Sequence, residues 1–69
     1  MDDAGVKIVR EALETQLKDE DFSRAVGRTV RRNEMDFKRY IEIIGEVRDM
    51  ALSESITLEE AAKRIVTRD

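Results

Sequence analysis

Apolar residues never run beyond three in succession in this chain, yet they return every three or four positions along most of it. No proline interrupts the pattern. Such spacing gathers apolar side chains on one face of a helix with about 3.6 residues per turn. The residues between them are rich in Glu, Lys, Arg, Ala and Leu, which lose little freedom in a helix. The pattern therefore predicts an all-α fold, a small bundle of three to four helices.

The first helix is expected over residues 4–18, with Val6, Val9, Leu13 and Leu17 as its stripe and Ile8 and Ala12 beside it. Asp2 and Asp3 fall where a helix N-terminus favours negative charge. Asp19-Glu20-Asp21 interrupts the pattern, and Asp21 suits an N-cap for a second helix. At Asn33 two readings stand. Either Asn33 is an N-cap with Asp36 three residues on and the chain bends, or one helix runs from residue 22 to 52. In the second case Val26, Val30, Asn33, Phe37, Tyr40, Ile44, Val47 and Ala51 form a heptad seam with one polar member. Residues 34–52 are helical either way. Thr57-x-x-Glu60 is a capping box for a last helix, with Ile56 and Ala61 placed as a hydrophobic staple. The expected core is Val9, Leu13, Leu17, Val26, Val30, Phe37, Ile41, Ile44, Val47, Leu58 and Ile65.

Sixty-nine residues allow one domain, 1–69, and a chain of this size buries only about 60% of its unfolded surface. Small domains are commonly reinforced by disulfides, metals or oligomerisation. Cysteine and histidine are both absent, so a thiolate or imidazole metal site is excluded along with disulfides. Oligomerisation, homodimerisation first, or docking onto a partner is the reinforcement left. The helix after residue 34 carries an apolar arc that one short partner helix cannot cover: either the first and last helices cover it together within one chain, or a second copy covers the remainder. Its apolar side chains span roughly half its circumference, wider than the usual stripe of about 100°. Tyr40, Ile43, Val47, Arg48 and Met50 are the candidate interface, with Arg48 either lying along apolar surface or pairing with a carboxylate of another chain. Gly45, at the edge of this arc, is a close-packing site or a weak point in the helix. No apolar run is long enough for a membrane span or a signal segment, and a cytoplasmic protein is expected.

Charge is segregated along the chain. Seven acids against three bases precede Phe22, six bases against two acids fill residues 22–40, and seven acids against four bases follow. On a helical wheel Arg24, Arg28, Arg31, Arg32, Lys38 and Arg39 lie opposite Val26, Val30, Phe37 and Ile44. If the chain bends at Asn33, the four arginines before the bend still share a face. These six cations are the candidate contacts for an acidic protein or a nucleic acid.

Catalytic chemistry finds few materials here. Glu42 and Glu46 share a helix face, but on the expected wet side, where carboxylates behave ordinarily. Asp19-x-Asp21-x-Ser23 begins like a calcium-binding loop, yet Arg24 and Val30 stand where glycine and a bidentate glutamate belong. Gly5, Gly27 and Gly45 are isolated and make no phosphate-binding loop. The chain reads as non-enzymatic, with no cofactor and no small-molecule substrate.

Two binding classes remain. Nucleic acid is favoured by the clustered arginines and opposed by the net charge of −3, with the aromatics assigned to core rather than to a stacking platform. The stretch ITLEEAAKRIV resembles the first helix of helix-turn-helix domains, in which Leu-x-x-Ala-Ala is a common packing pattern; a recognition helix would have to follow it. The other class is a protein-interaction or regulatory module, homodimeric, that docks on a larger protein. A protein partner ranks ahead of nucleic acid.

Overall fold

The computed structural model describes residues 1–68. Among them are four helices and no strand: α1 (Asp3–Thr15), α2 (Phe22–Arg32), α3 (Phe37–Glu54) and α4 (Leu58–Thr67). Residue 69, the last of the expected domain, lies outside the described residues. Each helix packs on its neighbours in sequence, and α4 closes the ring against α1, while the diagonal pairs touch more lightly. No helix among the described residues is long and apolar enough to cross a membrane.

The chain bends at Asn33, which settles the two readings in favour of separate helices. Asn33 ends α2 instead of starting α3: its N–H donates to the Thr29 carbonyl at 3.0 Å and its side-chain amide to the same oxygen at 2.8 Å. Glu34 takes the left-handed conformation (φ 55°), its N–H donating to the Arg31 carbonyl and that of Met35 to the Val30 carbonyl. These are the two hydrogen bonds of a Schellman turn. Asp36 then caps α3, accepting from the Lys38 N–H at 2.9 Å. The end of α3 repeats the device, with Ser55 at φ 54° and Ile56 donating to the Ala51 carbonyl at 2.9 Å. Thr57 and Glu60 form the expected capping box at the start of α4. Asp21 precedes α2 as expected but makes no side-chain cap.

Ile8, Val9 and Ala12 of α1 meet Phe22, Ala25, Val26 and Val30 of α2, Ile43, Ile44, Val47 and Ala51 of α3, and Ala61 and Ala62 of α4. The alanines of α4 let its backbone come close to α1 and α3. Thr29, the buried polar residue among them, returns its hydroxyl hydrogen to the Ala25 carbonyl at 2.7 Å. Val9, Val26, Val30, Ile44 and Val47 are buried as expected, and Leu13, Leu58 and Ile65 are half-buried against the core.

Three expected core residues are outside: Leu17 (64% exposed), Phe37 (67%) and Ile41 (58%). α1 stops at Thr15, three residues short of the expected end, so Leu17 leaves with the loop. Phe37 loses its place because the bend ends the phase relation with α2 on which the seam depended, and Ile41 falls on the outer side of α3 with Arg48 and Leu52. The radius of gyration is 10.8 Å, close to the roughly 11 Å of a folded chain this long, so the core closes within one chain. Ile43 and Val47, candidates for an interface, are part of that core (1% and 0% exposed).

Candidate functional site

Side chains hold the loop between α1 and α2, with the Gln16 amide donating to the Glu20 carbonyl at 2.8 Å. Glu20 accepts the guanidinium of Arg28 at 2.8 and 3.0 Å and the N–H of Leu17 at 3.1 Å. Arg28 also donates to the Thr15 carbonyl at 2.9 Å, placing a cation on an unpaired oxygen at the end of α1. Chiefly through the Arg28 hydrogen bonds, the Glu20 carboxyl is held down to about 2 and the Arg28 guanidinium is pushed further up. Only 9% of the Glu20 side chain is exposed.

Arg39 is engaged in the same manner elsewhere. It reaches Asp2 at 2.8 Å and Glu42 at 3.2 Å. Asp2 in turn accepts the Gly5 N–H at 2.9 Å, so one carboxylate caps α1 and ties it to α3. The Arg39 hydrogen bond and that of Gly5 hold Asp2 below the usual carboxylate range. Two of the six candidate cations, Arg28 and Arg39, are therefore structural. Arg24, Arg31, Arg32 and Lys38 are exposed and make no ion pair among the described residues.

Arg24, Arg28 and Arg31 share a groove of about 650 Å³ with the start of α3. Ser23, Gly27 and Val30 of α2 also line it, with Met35, Phe37 and Tyr40 beyond the bend. Gly27 makes room for the ring of Tyr40, whose nearest carbon would lie 3.4 Å from a β-carbon built on the glycine. Tyr40 stacks on Phe37 with ring centroids 5.3 Å apart and planes 24° apart. Tyr40 is half-buried and Phe37 stands out in solvent, so the groove ends at an exposed aromatic face beside guanidinium groups. Assigning all the aromatics to the core was wrong for Phe37, and with it goes one objection to nucleic-acid binding. Gly27 and Ser23 were not among the candidate residues. A glycine in mid-helix, flanked by arginines at 24, 28 and 31, was the signal for a close approach there.

A second surface runs along the outside of α3. Ile41 and Leu52 (58% and 75% exposed) lie on one side of the helix with exposed Arg48 between them. Gly45 belongs to the same side, and a β-carbon there would meet nothing within 4 Å. Tyr40 and Met50, also interface candidates, are half-buried against the core. Among the described residues no group of three or more Asp and Glu side chains is placed to hold a metal ion. No family model matches the chain, and no curated protein or solved structure matches it.

Proposed function

We propose that this chain is a non-enzymatic interaction module that works as a homodimer and docks on a larger protein partner. The outer face of α3 supports this reading: Ile41 and Leu52 remain in solvent after the core has closed, and Gly45 leaves the helix backbone open between them. Burying two such side chains against another helix gains about 1.5–3 kcal/mol each. Glycine permits a close approach at the centre of the contact.

Replacing Ile41 and Leu52 together by Ser tests the reading. The fold should change in stability by no more than about 0.5 kcal/mol per site, because both side chains are already solvated. Sedimentation equilibrium should show a dimer that this variant loses, and capture of protein partners from extract should weaken with it. A monomer at every concentration, with capture unaltered by the substitutions, would reject the proposal. Ile44→Asp, three residues along the same helix, should instead unfold the chain, because Ile44 is 5% exposed and a carboxylate there has no partner.

A further inference from the structure

We infer that the groove between α2 and α3 is a binding site for single-stranded nucleic acid, with a base on the Phe37 ring and neighbouring phosphates on Arg24 and Arg31. This goes beyond the protein docking proposed for the outer face of α3, and it rests on different side chains.

The rings and the charges fit a strand of this chemistry. Phe37 is 67% exposed and backed by Tyr40 at 5.3 Å, a flat platform that would otherwise be an unfavourable surface in water. Any base can stack on such a ring. Arg24 and Arg31 stand two helical turns apart, roughly 10 Å, on the same side of α2. Neither has an ion-pair partner among the described residues, so both can donate to phosphate oxygens. Arg28, lying between them, is held by Glu20 and shapes the groove without being free to bind. Arg32 and Lys38, next to the turn that joins the helices, add positive charge at one end.

A single strand fits better than a duplex. Net positive charge is confined to residues 22–40, and a duplex would also bring its phosphates toward the net-acidic segments on either side of it. An acidic peptide could use the arginines too, but the flat exposed ring of Phe37 at the end of the groove suits a planar base better. Flat bases use one ring fully.

The test is fluorescence anisotropy with a fluorescein-labelled oligodeoxythymidine at low and moderate salt. Binding should appear at low salt and weaken with a log–log slope of about −1.5 to −2, as expected for two to three phosphate contacts on a single strand. Phe37→Ala should lower the affinity about tenfold and leave that slope unchanged. Arg24→Gln with Arg31→Gln should lower the affinity and flatten the slope. Unaltered helical circular dichroism in these variants separates loss of the site from loss of the fold. Ile41→Ser with Leu52→Ser should leave the oligonucleotide affinity as it was, which keeps this result independent of the docking proposal. The inference is overturned if no binding occurs at low salt, if Phe37→Ala has no effect, or if duplex of the same length binds as tightly. Saturation of the groove by a glutamate-rich peptide bearing one tryptophan, with no response to the oligonucleotide, overturns it as well.

Discussion

Glu20 and Arg28 form a contact whose strength depends on the charge of the carboxylate, so acid should attack the fold there. The Glu20 carboxyl titrates near 4.5 when free and is held down to about 2 in the folded chain. Protons therefore bind the unfolded chain more readily. The contribution of this group is complete above about pH 4.5 and is lost as pH falls toward 2. Asp2 and Glu60, both lowered by hydrogen bonds, act in the same direction. Thermal melts between pH 7 and pH 2 should show stability falling through the acid range. Glu20→Gln should melt lower at neutral pH and show a shallower acid dependence. An identical pH profile for the variant would show that Glu20 does not anchor the loop. Arg28→Gln should destabilise at neutral pH as well, since it removes the partner of Glu20 and a donor from the end of α1.

The helix ends show where sequence patterns are informative and where they run out. α2 and α3 both end on left-handed residues without the customary glycine: Glu34 (φ 55°) and Ser55 (φ 54°). An L-residue in this conformation costs about 1–2 kcal/mol. Ser55→Gly and Glu34→Gly should each stabilise the fold by about 0.5–1 kcal/mol after the extra freedom of the unfolded glycine is counted. Urea midpoints would measure it, and a fall in midpoint would contradict the strain. Gly45→Ala in mid-α3 should gain about 1 kcal/mol for the single chain, because nothing crowds a β-carbon there. If α3 is the dimer contact, the same change should weaken association. The capping box at Thr57 was plain from sequence because its signal lies in side chains three residues apart. The bend at Asn33 was legible only as the commoner of two arrangements, since its turn forms on a glutamate. Phe22 and Phe37 make the limit clear. Each is the first residue of a helix and follows an aspartate, yet Phe22 is 1% exposed and Phe37 67%. Both stand in Asp-Phe-x-Arg, and the path of the preceding loop decides which one enters the core. Phe37, the aromatic platform of the groove, could not be placed without that path.

For the whole molecule, helical periodicity was enough for the architecture, because every element needs only to bury one stripe against its neighbours. It was not enough to show that a single chain completes the core. The wide apolar arc of α3 was divided by the fold: Ile43, Ile44, Val47 and Ala51 went inward, while Phe37 and Ile41 stayed out. The proposed self-association would thus add to a closed core instead of creating one. The melting temperature should accordingly rise with protein concentration by mass action, while the dilute chain keeps a cooperative transition. A concentration-independent melt would leave the outer face of α3 to a different protein. The basic middle of the chain is also redistributed. Arg28 and Arg39 tie elements together, and the cations of this segment that make no ion pair among the described residues lie on α2 and at the start of α3.

Tyr40 has one more consequence. It is the one tyrosine of a chain without tryptophan, and its ring forms a wall of the groove against Gly27. Nearly all of the protein's ultraviolet emission therefore comes from that wall. The molecule is its own optical sensor: a ligand entering the groove should alter the brightness of this residue, while docking on the far half of α3 around Leu52 should leave it dark to the event.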